Sequence, residues 1–330
     1  MEHYHIYHTE IPDFLCDCME TPVVKRLKLI GMNCGCEYTS FPQFSGLDSY
    51  SRYDHSIGVA LIIWHFTGNR KQSIAGLLHD VASPVFSHSV DFMHGDYLKQ
   101  ESTEDGTERL IAGSAELQEI LRKYELTTAD VCNYHRYPIA DNDSPRLSAD
   151  RLEYTIGNSI NYRICTLEDV QSFYSDLIVG TNEYGNDELM FKSTLIAEFF
   201  AKTALACSKI YVSDADRYTM QILSEILAYA IEHRVIEEED LNSTEPKVIG
   251  KLLSDAHTAS FWNHFCACRH TKSAPQPGTK GFWRKIAAKQ RYIDPMVQGK
   301  GRISEQSPDF ADNLNTFLDS NHDYWVCAQV

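Results

Sequence analysis

The chain has 330 residues and a formal net charge of -16, from 46 acidic and 30 basic side chains. That surplus disfavours sequence-independent nucleic-acid binding, which is built on basic contacts to phosphates. A phosphate-bearing small molecule stays open, because a metal and a few local Arg or Lys residues make a positive pocket inside an acidic protein.

Helical periods dominate the chain. The His-rich start, Met1 to Glu10, lacks the basic and apolar regions of a signal peptide, and no apolar run approaches the roughly 20 residues that span a bilayer, so no membrane association and a cytoplasmic location are expected. Asp13 to Met32 has helical spacing around Thr21-Pro22, a good helix start. Asn33 to Tyr53, rich in Gly, Ser, Pro and aromatic residues, reads as a long loop. Apolar helices follow over His55 to Phe66 and Lys71 to Ala82, the second ended by Ser83-Pro84. Phe86 to Phe92 is a short helical piece, and Thr107 to Tyr124 one amphipathic helix. A turn-rich stretch leads into a helix near Ser148 that carries Asp150. Leu195 to Tyr211 and Ala215 to His233 are long helices with apolar faces. Glu237 to Asp240 reads as a solvated acidic run, Ser273 to Gly281 as a flexible loop, Lys285, Lys289 and Arg291 as a solvated helix face with contact to another subunit or a ligand as the alternative, and the tail beyond Ile293 has little periodicity. A soft boundary lies near residue 180.

The ten cysteines read as small buried hydrophobes in a reducing compartment. Cys16/Cys18, Cys34/Cys36 and Cys266/Cys268 are separated by one residue, where zinc sites use a wider gap.

Four segments carry chemistry: Ser51 to Ser56, Ala75 to Asp80, Phe86 to Asp91 and Ser148 to Tyr154. His79 and Asp80 end a buried apolar helix, which is costly unless both are satisfied. A divalent metal satisfies both, and imidazole with carboxylate suits Mn, Fe, Zn or Mg. Neighbours on a helix point about 100° apart, so further ligands must come from other helices; His55 and Asp150 are suitable. Taken singly, His55 is a helix-start residue beside Asp54, and Asp150 a cap or a partner of Arg151.

The order of these segments resembles the HD phosphohydrolase superfamily, and the flanks resemble its deoxynucleoside triphosphate triphosphohydrolase (dGTPase)-like branch. The resemblance rests on Thr21-Pro22 with Arg26-Leu27, Phe41-Pro42, Arg52-Tyr53-Asp54-His55-Ser56-Ile57-Gly58-Val59, Ala75-Gly76-Leu77-Leu78-His79-Asp80, Pro84-Val85-Phe86-Ser87-His88 and Asp150-Arg151-Leu152-Glu153-Tyr154, and covers roughly residues 10 to 165. It implies an all-α fold: an HD helical bundle over 1–180 and an additional helical region over 181–330 that completes the pocket or mediates assembly. It implies a metal held by His55, His79, Asp80 and Asp150, Arg52 and Arg151 near phosphates, Tyr154 near the sugar, and His88 and Asp91 as polar residues lining the active site. One ion is expected. The alternative is two, with His88, His94 or His135 as extra ligands.

The departures matter equally. The family's Gly-His-Gly-Pro is here Ala82-Ser83-Pro84-Val85. Its His-Glu pair, the source of a general acid, is here Gln100-Glu101, so His88, His94 or Glu101 must take that work. The sugar-reading Gln and Asp are replaced by Leu29 and Asn158. The expected activity is therefore hydrolysis of a nucleotide or related phosphate ester, with a (d)NTP triphosphohydrolase first and a nucleotide phosphomonoesterase second. A non-catalytic nucleotide-binding or interaction module is a third reading, and a homo-oligomer is an open alternative for assembly.

Overall fold

Ser51 starts the helix that carries the first candidate ligand. In this computed structural model, which describes residues 4–93 and 106–330, the Ser51 hydroxyl accepts from the Asp54 amide at 3.2 Å and the Asp54 carboxylate accepts from the Ser51 amide at 2.9 Å. This reciprocal cap satisfies two orphan donors of α1 (Arg52–Thr67). Gly68, at φ 58°, ends α1 in the left-handed conformation that glycine adopts at little cost. Its residues Ile57 to Ile63 are buried on all sides, the mark of a central core helix.

The helix α2 (Arg70–Leu78) starts on an Asn69 cap and runs back along α1. Gly76 permits the close approach, since a Cβ there would lie 2.4 Å from Ile63 Cδ1. The helix α3 (Ala149–Asn161), capped by Ser148, packs on α1 from another direction. These three helices bring residues 55, 79, 80 and 150 toward one place. Two long helices follow: α4 (Thr194–Tyr211) lies against α3, and α5 (Asp214–Glu232) against the short helix His88–Met93. The largest core includes Leu61, Leu78 and Ile156 before residue 180 and Phe200, Leu205 and Phe310 after it. Among the described residues no helix is long and apolar enough to cross a membrane.

The chain is mostly helical, but not all-α. Among the described residues seven short strands form two small sheets. β1 (Leu177–Thr181) and β2 (Asp187–Phe191) make an antiparallel hairpin, with Leu177 opposite Phe191. The five residues between them include Gly185 at φ 83°, a hairpin signal that the helical periods around it obscure. β5 (Met296–Val297) joins β2 in parallel and β6 (Gly301–Arg302) closes that sheet. In the other sheet β7 (Trp325–Gln329) sits between β3 (His270–Ala274) and β4 (Arg284–Lys285).

Other expectations need correcting. Residues 107–124 form two helices, Thr107–Gly113 and Ala115–Lys123, because Ser114 caps the second through the Leu117 amide. The tail beyond Ile293 carries strands and the helix Pro308–Leu318, started by Ser307-Pro308. Asp240 is buried and pairs with Lys251 and Lys247, so the acidic run is not simply solvated. The first two residues of the expected flexible loop, Ser273 and Ala274, belong to strand β3. The expected helix face at Lys285, Lys289 and Arg291 is instead β4 followed by irregular backbone.

Candidate metal centre

His79 is the C-cap of α2 and keeps helical backbone, at φ -58° and ψ -37°, and Pro84 follows the turn over residues 79–82. The helix end lets the two neighbouring side chains converge. The imidazole Nδ1 of His79 donates to the Gly76 carbonyl at 2.6 Å, which leaves Nε2 bare toward the cluster. Its Nε2 is 3.5 Å from Asp80 Oδ2 and 3.7 Å from Asp150 Oδ1. From α1, His55 Nε2 lies 3.0 Å from Asp150 Oδ1 and 3.9 Å from Asp80 Oδ2. One candidate ligand atom each from His55, His79 and Asp80 falls within 4.8 Å of the others, and all three residues are buried.

The electrostatics suit a cation. Burial alone would lower the basicity of His55, but hydrogen bonds to Asp150 and Glu153, and their charges, push it up to about 10. Burial opposes ionisation of Asp80; Arg52, His79, His55 and the Ser83 hydroxyl overcome it and hold the carboxyl well below the usual range. Asp150 is likewise drawn down to about 2, against burial, mainly by His55. The field that makes His55 so basic would also attract a divalent cation. Two imidazoles with two carboxylates are a donor set that such ions accept.

Arg52 reaches the cluster from the first turn of α1. Its Nη1 donates to Asp80 Oδ2 at 3.0 Å and its Nε to Ser87 Oγ at 3.1 Å. Ser87 and Phe86 are both left-handed, with φ of 44° and 57°, a strained pair for non-glycine residues. The Phe86 amide is held by Glu245 Oε1 at 3.3 Å. This turn presents His88, whose Nδ1 meets the fully buried Asp91 at 2.8 Å. Burial and the charges of Arg291 and Arg52 lower the basicity of His88, while Asp91 raises it; the net direction is down.

The cluster opens into a cavity of about 990 Å³. Arg151 and Tyr154 line it, as do Asn158 and Tyr211, which bond to each other at 2.7 Å. Arg151 is engaged by Asp141 Oδ1 at 3.1 Å and Asn142 Oδ1 at 2.9 Å. His135 also lines the cavity, with Nδ1 2.7 Å from Asp141. Leu29 is half exposed and is not among the lining residues. His94 and Glu101 lie outside the described residues. The cysteines are free thiols; Cys34 lines the cavity and Cys36 is buried behind it.

Two features escape sequence reasoning, and a third was only a secondary alternative there. Glu153 is fully buried against His55; its position three residues after Asp150 was the available signal. Asp216, at the start of α5, lines the cavity, and burial pushes its carboxyl up to about 7. Residues 287–292 also line the cavity, and the charge of Arg291 reaches His88, Tyr154 and Asp216. Lys289 and Arg291 thus stand at the cavity, where the alternative reading of a ligand contact had them, and not on a solvated helix face. Arg217, by contrast, makes a local ion pair with Asp214, at 2.7 Å.

A mostly helical protein with a buried His-His-Asp cluster at the floor of a large polar cavity has the makings of a metal-dependent hydrolase. Its relatives agree at that level. Over 261 residues the chain is 24% identical to the metal-dependent phosphohydrolase cns2 of Cordyceps militaris, covering 76% of this chain and 72% of that one. Over 203 residues it is 29% identical to the uncharacterized protein YdhJ of Bacillus subtilis, a match that spans 61% of each chain. No family model matches. The cluster and the cns2 similarity together point to a divalent metal.

Proposed function

We propose that this chain is a metal-dependent phosphohydrolase of the HD type acting on a nucleotide or related small phosphate ester. One observation carries the reading: His55, His79 and Asp80 cluster, with Asp150 against both imidazoles, at the floor of a cavity also lined by Arg52, Arg151 and Arg291. A divalent ion bound by these four residues would act as a Lewis acid toward phosphate and would make water more nucleophilic. Arg52 is anchored by Asp80 and Ser87, and its Nη2, which bonds to no described residue, is the group for a phosphate oxygen. Asp91 holds His88 Nδ1–H, so Nε2 of the neutral ring can take up a proton from water or return one to a leaving oxygen. Tyr154 and Asn158 stand where the organic part of the substrate would lie. In this reading residues 1–180 form the unit that carries the ligands, and 181–330 complete the pocket.

A triphosphohydrolase of the dGTPase-like branch is the first reading and a nucleotide phosphomonoesterase the second. Both use the same residues and attack the phosphorus esterified to the sugar, and they differ in whether that phosphorus carries two further phosphates or none. Elemental analysis of the purified protein, then a metal-supplemented nucleotide panel resolved by chromatography, tests the proposal. Bound divalent metal and release of triphosphate or phosphate are expected. Metal-replete protein that releases no phosphate, pyrophosphate or triphosphate from any nucleotide refutes hydrolysis.

A further inference from the structure

The least expected part of the centre lies behind it. Glu153 is fully buried, one turn after Asp150 on α3, and neither it nor Tyr50 lines the cavity. Its Oε2 is 2.5 Å from His55 Nδ1 and accepts from the Tyr50 hydroxyl at 2.5 Å. The Tyr7 hydroxyl lies 3.5 Å from Oε1. A buried carboxylate is expensive unless it is paired and hydrogen-bonded, and here both conditions hold.

The backbone is built around this pair. A Cβ on Gly58 of α1 would lie 2.5 Å from Glu153 Cγ and Oε1. A Cβ on Gly157 of α3 would lie 2.4 Å from the Tyr50 hydroxyl oxygen. Two packed helices therefore each give up a side chain where Glu153 and Tyr50 sit.

The two imidazoles of the cluster are also backed differently. His79 Nδ1 donates to the neutral Gly76 carbonyl at 2.6 Å, whereas His55 Nδ1 faces a carboxylate. A carboxylate behind a ligating imidazole fixes its tautomer and ring orientation and makes the other nitrogen a stronger donor.

We infer that Glu153, set by Tyr50, is a positioning residue for His55, so that the affinity of the centre for a divalent cation is tuned by two side chains outside the pocket. The inference rests on the metal reading above. Titration of the purified protein with Co²⁺, followed by calorimetry and by visible absorption, tests both. Wild type is expected to bind Co²⁺ with a ligand-field spectrum. Glu153→Gln keeps the side-chain shape and is expected to weaken binding roughly ten- to a hundredfold and to shift the absorption band. Tyr50→Phe removes only a hydroxyl and is expected to weaken binding by a smaller factor in the same direction. Circular dichroism of the metal-free proteins reports folding. If folded Glu153→Gln binds with the wild-type affinity and spectrum, the positioning role is overturned, since a purely structural carboxylate leaves both unchanged. If Glu153→Gln does not fold, Tyr50→Phe decides by the same criterion. A wild type that binds no Co²⁺ overturns the metal reading itself, and the positioning role with it.

Discussion

The cavity has two kinds of lining, and they are held in place differently. On one side His55, His79, Asp80 and Asp150 sit near helix ends, each fixed by a named partner: Glu153, the Gly76 carbonyl, Arg52 with Ser83, and His55. On the other side Asp216 has the Cys36 thiol at 3.6 Å, and residues 287–292 are irregular backbone between two small sheets. Rigid, mutually satisfied groups suit chemistry that needs fixed geometry. A wall of irregular backbone and long side chains suits selection among substrates, because its contacts are changed without disturbing the cluster.

The largest expected effect falls on the first side. Asp80→Ala removes a candidate ligand and the partner of Arg52, so phosphohydrolase activity is expected to fall by about 10³-fold or more, with loss of bound metal by elemental analysis. Near-wild-type activity in this variant would erase the distinction between the two sides. A smaller effect is expected on the second. Arg291→Ala should raise KM roughly tenfold, about 1.4 kcal/mol, and leave kcat nearly unchanged, as expected for a group that binds substrate and transition state alike. A fall in kcat instead would move Arg291 to the chemical side.

The smallest effect concerns stability. Burial, against Cys36, Arg291 and Arg217, raises the Asp216 carboxyl from 3.8 to about 7. Between those values the folded protein holds a proton that the unfolded chain releases, so this group's stabilisation is full at the acid end and is lost as pH rises to about 7. Asp216→Asn should remove that slope. Melting temperatures of both proteins from about pH 4 to 7.5 check this; parallel curves would show that Asp216 is ionised throughout.

Much of the first side was legible in the sequence. Ser148 announced the helix start just before the candidate ligand Asp150, and His79-Asp80 closed an apolar run ahead of Pro84, whereas the loop expected through Tyr53 hid the Ser51 cap and the first turn of α1. Such signals depend on residues three or four apart, within reach of one helix turn. Two expectations failed for a related reason. The hairpin at 177–191 was masked by neighbouring helical periods, and Ser114 split a stretch whose apolar face runs on without a break.

What the sequence determined by itself was a set of candidate ligands and their placement near helix ends, because capping and periodicity are local. The tertiary structure alone decided what stands behind and across from them. Glu153 acquires its role only when Tyr50, 103 residues away, and His55, 98 residues away, close on it. Arg291 enters the cavity only because β4 and β5, on either side of it, are tied to β7 and β2. These pairings join distant parts of the chain, and their free energy depends on close packing between elements, which no local pattern encodes.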